Sequence, residues 1–294
     1  MTIRIANPIY DVVFKYLMEN NLIAIHLLSA ILNENIIALE MQPQEMVTNS
    51  SAGVRMFKID FKATIRTKDG GIKIILIEIQ KSRNGFGIDR FQTYLGLNYM
   101  NPNIIVDEKG KSRDDRYPIT VIYFLGFRLP SIKVPVLKVE RRYINAISRH
   151  KINAKEDFVE KLSHDLYAIQ IPRLKMQVKT DLEEMLDVFN QNKYKTNDNH
   201  IFEYTGNSTN PKVAGMVKHL GRALVSDPNL LHQILMEEHM EREMRAVEDA
   251  IKEKAEAVIA KEEAVIAKEE AQKNTLLWKA KYEELERQVK NNNG

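Results

Sequence analysis

The chain is predicted to be a mixed α/β protein followed by a long C-terminal helix, on three features of its sequence. Apolar residues recur at helical spacing over residues 8–33, the period changes to two over residues 55–66, and the heptad VIAKEEA is written twice, at residues 258–264 and 265–271. Asn7-Pro8 supplies a cap and a first-turn proline for the opening helix, Val12, Val13, Tyr16 and Leu17 supply its apolar face, and Asn20-Asn21 divides the segment into two short helices. Between Arg55 and Arg66, Phe57, Ile59, Phe61, Ala63 and Ile65 fall on one side of a strand and Lys58, Asp60, Lys62, Thr64 and Arg66 on the other. That strand is half-buried. Lys68-Asp69-Gly70-Gly71 is a turn, and Ile72 to Gln80 is apolar on both faces until Glu78 and Gln80 interrupt it. This predicts a central strand that forms a hairpin with its predecessor. A helix is predicted over Ser82–Asn101, ended by Pro102, and strands over Pro118–Leu129, Val134–Ile144 and Leu166–Ile171.

Asn190 to Pro211 is rich in Asn, Lys, Thr and Gly with little periodicity, so the core is expected to end before it. The predicted division is a domain over residues 1–200, a linker with a short helix over 201–228 and a long helical tail of coiled-coil type over 229–294. At 100° per residue Ala257, Ala260, Ala264, Ala267, Ala271, Trp278, Tyr282, Leu285 and Val289 share one stripe of the tail, with a slip near Asn274. Val258 and Ile259 fall outside it among glutamates, so no strong leucine-zipper pairing is encoded. Homo-oligomerisation through this helix and a solvated single helix are both open readings.

With 294 residues the chain is long enough for one sizeable core and an accessory segment. Cysteine is absent, which excludes disulfides, thiolate zinc sites and cysteine nucleophiles and fits a reducing cytoplasm; a metal would have to be held by oxygen or imidazole. Met1 to Tyr10 carries no signal-peptide pattern and no stretch reaches the ~18 apolar residues of a membrane helix, so a cytoplasmic protein with no membrane partner is expected. A formal net charge of +3 leaves the partner open, because the field that matters to a polyanion is local.

The informative constellation is Asp60 on the first hairpin strand and Glu78-x-Gln80 on the second. Residues directly opposite each other in an antiparallel pair share a face, so Asp60 joins Glu78 and Gln80 only if paired residue numbers sum to an even value. Burial of Phe57, Ile59, Phe61 and Ile65 with Ile75, Ile77 and Ile79 demands the same parity. An odd loop or a bulge is therefore predicted; a three-residue Asp69-Gly70-Gly71 connection sets Asp60 opposite Gln80 and Lys62 opposite Glu78. Mg²⁺, for which Mn²⁺ can substitute, is a hard cation that uses one or two carboxylates while keeping waters and phosphate oxygens. Asp60 and Glu78 supply those carboxylates and the carbonyl of Ile79 adds an oxygen. Lys62 would offset charge developing on a phosphodiester, and Gln80 would orient a water rather than deprotonate it.

The run IDFKATIRTKDGGIKIILIEIQ, with NPIYDVVFKYLM upstream, resembles the PD-(D/E)XK nuclease family transposases, also called recombination-promoting nucleases, over roughly the first 200 residues. The resemblance implies a restriction-endonuclease-like core, a mixed central sheet flanked by helices, and divalent-metal-dependent DNA cleavage linked to recombination or mobile elements. It implies Asp60 and Glu78 as metal ligands, Asp11 as an additional acid, and Gln80 where the wider superfamily has lysine. Either Lys62 or Lys81 then supplies the missing ammonium or activity is weakened, and of the two lysines parity favours Lys62. A nuclease-fold module that binds DNA or protein without turnover is the alternative, and a scaffold built on the long helix a third reading.

Ordinary structural readings stand beside these. Lys62 with Glu78 would pass for a cross-strand ion pair, Asp11 for a capping acid with Lys15 one turn on, and Arg90 with Tyr94 for a helix-surface pair as readily as a phosphate contact. Lys138, Arg141, Arg142, Arg149, Lys151 and Lys155 form either a surface for a nucleic-acid backbone or a solvated charge run. His232 and His239 lie one heptad apart rather than at the i, i+4 spacing of helical metal pairs and read as surface residues. Neither a P-loop nor a Gly-x-Ser-x-Gly elbow is present, which argues against a nucleotide cofactor and an α/β-hydrolase layout.

Overall fold

Asn20 ends one helix and caps the next. Its side chain accepts a hydrogen bond from the Ile23 amide at 3.2 Å, so α1 (Asp11–Glu19) stops and α2 (Asn21–Leu32) starts at once. At the far end of α2, Asn33 adopts the left-handed conformation and its N–H returns to the Ser29 carbonyl. This computed structural model describes residues 2–41, 58–67, 70–82, 95–96, 99, 103–106, 112–115, 117–206 and 209–292; for residues 58–60, 78–82, 103–106, 112–115, 157, 244, 248, 284 and 289–292 it describes the backbone alone. Most of the helix predicted over Ser82–Asn101, including Arg90 and Tyr94, lies outside the described residues.

After β1 (Ile3–Ala6) and the helix pair come β2 (Asn35–Met41), β3 (Lys58–Arg66) and β4 (Ile72–Ser82). A small hairpin of β5 (Asn103–Val106) and β6 (Ser112–Asp115) precedes β7 (Ile119–Leu125) and β8 (Val136–Val139). A second hairpin, β9 (Tyr143–Ile144) with β10 (Lys151–Ile152), and α3 (Asp157–Leu162) lead to β11 (His164–Gln170). The predicted strand over Val134–Ile144 is thus two strands, broken after Val139. One mixed sheet takes the order β2-β3-β4-β7-β11-β8, with β4, β7 and β11 parallel and the other neighbours antiparallel. Phe14 of α1 packs edge-on to Phe124 of β7 at 5.0 Å, which seats the helix pair on one face of the sheet over Phe61, Ile65, Ile77 and Ile169.

Asn7 does not cap α1. The helix starts later, after Tyr10, and Asn7 is buried, accepting from the Ile9 amide at 3.0 Å and donating to Gln191 Oε1 at 3.0 Å and the Asn199 carbonyl at 2.7 Å. A buried amide has to find partners, and these lie near residue 200. The segment predicted as a linker is correspondingly folded. α4 (Asp181–Asp187) and α5 (Gln191–Tyr194) precede β12 (Ile201–Tyr204), which pairs antiparallel with β1, and α6 (Pro211–Ser226) buries Val213, Met216, Val217, Leu220 and Ala223. A Cβ on Gly221 would stand 3.3 Å from the Arg4 carbonyl oxygen, so any larger residue would ease α6 away from β1 by a few tenths of an ångström.

The chain divides into two units, Met1–Glu237 and Glu238–Gly294. The first therefore extends beyond the boundary expected at residue 200, because three aromatic residues in a polar segment, Tyr194, Phe202 and Tyr204, are buried. α7 (Leu230–Asn292) begins inside it with Leu230 and Ile234 buried. Its Glu237 is also buried, and the carboxylate accepts the Asp11 amide at 2.8 Å through either oxygen and the Val12 amide at 3.3 Å. Tyr10 offers α1 no side-chain cap, so Glu237 supplies the charge that free helix amides and the helix dipole favour. The second unit is helix alone, with Val258, Ile259, Val265 and Ile266 about half exposed. Among the described residues no helix is long and apolar enough to cross a membrane.

Two outcomes follow from this architecture. Glu237→Ala is expected to lower unfolding stability by about 1–2 kcal/mol in a urea titration, the scale of a lost cap at a helix dipole. Truncation after Asp227, which also strips Leu230 and Ile234, is expected to depress the melting temperature far more than truncation after Met240. Tyr194, buried and donating its hydroxyl to the Asp187 carboxylate, has its ionisation pushed far above the ordinary tyrosine range by burial and by that acid. A proton held more tightly in the folded state gives stability that is complete below the unfolded pKa of about 10 and is lost above it. Stability is expected to fall by about 1.4 kcal/mol per pH unit from pH ~10 upward, and Tyr194→Phe to flatten that slope.

Candidate functional site

The register of β3 against β4 builds the site. Lys58 pairs with Gln80, Asp60 with Glu78, and Lys62 with Leu76. The parity read from the sequence is the parity found: Phe61, Ala63 and Ile65 are almost wholly buried together with Ile75 and Ile77. The even-numbered residues take the opposite face, away from the helix pair. The pairing is shifted by two residues from the register that the Asp69-Gly70-Gly71 connection predicted, so Asp60 stands opposite Glu78 instead of Gln80, and Lys62 opposite Leu76 instead of Glu78. The turn explains the shift. Thr67 N–H bonds the Gly71 carbonyl at 2.9 Å, and Gly70, at φ 87°, carries the left-handed position that ends a three-residue loop. The odd loop is present, one residue earlier than expected.

Two rows of residues cross the sheet here. One runs Asp60, Glu78, Val121, Leu166, Val139; the next runs Lys58, Gln80, Tyr123, Ala168, Leu137. Directly opposed residues in an antiparallel pair have Cα atoms about 4.5–5.5 Å apart, so the carboxylate-bearing positions 60 and 78 are as close as a ladder permits. Like charges so placed repel unless a cation intervenes. Two carboxylates are oxygen donors suited to a hard divalent ion, and the Ile79 carbonyl, in mid-strand, keeps a second lone pair beside any ladder bond. By its donor chemistry this set fits Mg²⁺ or Mn²⁺. Among the described residues no group of three or more His, Asp or Glu side chains gathers as a metal site, a census that does not include Asp60 and Glu78, whose side chains lie outside it.

Lys62 shares the face and has an acidic neighbour on the strand to its other side. It pairs across to Glu40 of β2, its Nζ 3.8 Å from the carboxylate and 5.7 Å from the centre of the Tyr117 ring. The Glu78 side chain, with which an ion pair was expected, lies outside the described residues. Lys58 is the cation that sequence reading passed over; it sits opposite Gln80, and its place on the even-numbered face was the available signal. Asp11 opens α1 on the helix-covered side of the sheet, its amide bound by Glu237, and belongs to neither row. The Lys81 side chain lies outside the described residues.

Further along the same face Tyr99 Oη lies 3.1 Å from His164 Nδ1, in the row of Lys62, Leu76 and Ile119. Burial, then the charge of Arg141, holds the His164 imidazole below its ordinary pKa and therefore neutral at pH 7. The basic cluster divides into two sets. Arg141 is bound by Glu160 and Asp165, each at 3.0 Å, Lys138 by Glu140 at 2.5 Å, and Lys155 by Glu160 at 3.3 Å, whereas Arg142, Arg149 and Lys151 are exposed. His232 and His239 are exposed surface residues, as their spacing indicated.

Comparison of the chain with family models, with curated proteins and with solved structures finds no match in any of the three.

Proposed function

We propose that this chain is a divalent-metal-dependent DNA endonuclease with a restriction-endonuclease-like core, of the PD-(D/E)XK type linked to recombination or mobile elements, working in the cytoplasm. The observation that carries the reading is the direct opposition of Asp60 and Glu78 on the sheet face away from the helix pair, with Gln80 and Lys58 paired one row on. Asp60, Glu78 and the Ile79 carbonyl would hold Mg²⁺ or Mn²⁺. Bound there, the cation supplies positive charge to phosphate oxygens and makes a water more acidic. Gln80, an amide without a useful pKa, orients that water; Lys58 opposite it provides the ammonium that the superfamily's lysine would, and Lys62 stays with Glu40. Asp11 serves as an additional acid only if α1 carries it to the edge of the sheet. The second unit is read as a helix for self-association or docking, on its alanine stripe.

Two observations favour a second reading, a nuclease-fold module that binds DNA or protein without turnover. Gln80 stands where lysine is expected, and Lys62, the cation expected to stand in for it, lies opposite Leu76 with Glu40 3.8 Å away.

Supercoiled plasmid nicking decides between them. Under the first reading nicking needs Mg²⁺ or Mn²⁺, stops in EDTA, and falls at least about 100-fold in Asp60→Ala/Glu78→Ala, while DNA binding persists. Lys58→Ala is expected to cost about 100-fold in kcat and Lys62→Ala little. A folded wild-type chain that nicks no DNA form with either metal removes the first reading, and duplex binding by that chain supports the second. Stability gives a readout apart from activity. Asp60→Asn is expected to raise the melting temperature in EDTA by relieving the opposed charges, and Mg²⁺ at about 100 times its Kd to add about 2.7 kcal/mol to the wild type but not to the double variant.

A further inference from the structure

The hairpin of β9 and β10 is an exposed, basic segment that follows β8, the edge strand of the sheet. Residues 141–155 contain Arg141, Arg142, Arg149, Lys151 and Lys155, together with His150, and no acidic residue. Arg141 and Lys155 are held by Glu160, and Glu140 is occupied by Lys138. Arg142, Arg149, His150 and Lys151 face solvent, and Arg149, His150 and Lys151 form no ion pair among the described residues. The tip is fixed by its own backbone. Asn145 Oδ1 accepts from the amides of Ile147 and Ser148 at 2.9 and 3.0 Å, the Arg149 amide donates to the Asn145 carbonyl at 2.8 Å, and Arg149 takes the left-handed conformation at φ 62°. This geometry holds Ile147 outward at 95% exposure, an apolar side chain kept in water by an ordered turn between cations.

We propose that this hairpin is a docking element for duplex nucleic acid, with Arg142, Arg149 and Lys151 on phosphates and Ile147 as an apolar contact to base or sugar edges in a groove. Two-stranded ribbons fit grooves of a duplex, cations supply affinity independent of sequence, and exposed aliphatic side chains act as wedges at base steps. Placement supports the choice. β8, which feeds the hairpin, ends at Val139 on the cross-strand row of Asp60 and Glu78, three strand spacings from β4. That is roughly 14 Å of sheet, the rise of about four base pairs, so one duplex can reach both places. The choice of partner rests on the nuclease reading, though the contact itself needs neither metal nor turnover.

The test is fluorescence anisotropy with a labelled ~30-base-pair duplex and the full chain, in EDTA, across a salt series. Arg142→Gln/Arg149→Gln/Lys151→Gln is expected to bind at least about tenfold more weakly and to lose about 2.7 from the slope of log K against log salt, about 0.9 per phosphate contact. Ile147→Ser is expected to weaken binding several-fold with the slope unchanged, since it carries no charge. Circular dichroism melts confirm that both variants fold, as their exposed positions allow. Unaltered affinity and slope in the folded triple variant overturn the proposal, as does a loss of binding to anionic phospholipid vesicles without a loss on DNA. Weakened DNA binding in the triple variant alongside a wild type that nicks nothing would leave the docking element standing and remove the nuclease reading.

Discussion

Side chains alternate across a strand, so burying Phe61, Ala63 and Ile65 beneath the helix pair decides where Asp60 and Glu78 can go before any chemistry is considered. A slip of β3 by one residue would carry these apolar groups into water, at about 1.5–3 kcal/mol for each large side chain, and thrust the Asp60 carboxylate under Phe14 at several kcal/mol. A slip of two residues incurs neither penalty. The choice between the even registers therefore falls to the turn, and Gly70, the residue that adopts positive φ there, settles it. Hydrophobic parity sets the face of the site; one glycine sets which residue stands opposite which.

The rest of the first unit is tied together by buried polar side chains reaching far along the chain. Gln170, at the end of β11, accepts the Leu129 amide at 2.6 Å and donates to the Val134 and Ile132 carbonyls at 2.7 and 3.2 Å, which pins the connection between β7 and β8. Asp187 collects Lys193 at 2.7 Å and the Tyr194 hydroxyl, closing the turn between α4 and α5. Such groups are costly when unpaired, so each fixes one local geometry. Gln170 in this way holds the entry to β8, the edge strand that leads into the β9–β10 hairpin.

Much of this was legible in the sequence. The helix pair divided at Asn20, the hairpin with its even parity, the later strands and the long helix all announce themselves through periodicity and turn residues. The illegible parts share a cause, in that each is decided by a partner distant in sequence. Asn7 looks like a cap until Gln191 and Asn199 claim it, residues 190–211 look like a linker until β12 finds β1, and Lys62 looks like the residue opposite Glu78 until the turn sets it opposite Leu76. For the candidate site, the two acids and their shared face were readable. The identity of the cation beside Gln80 was not, because a two-residue shift of register leaves the hydrophobic pattern unchanged.

The cap on α1 also bears on the order in which the molecule can be made. The amides of Asp11 and Val12 emerge from the ribosome early, whereas the carboxylate that receives them lies 226 and 225 residues further on. At about 5–20 residues per second that interval is roughly 10–45 s. β1 waits nearly as long for β12. Throughout synthesis the helix pair and the first strand are unclosed, and the fold is completed from both ends only after Glu237 has left the exit tunnel. A chain released short of that residue would reach the cell with its opening helix uncapped.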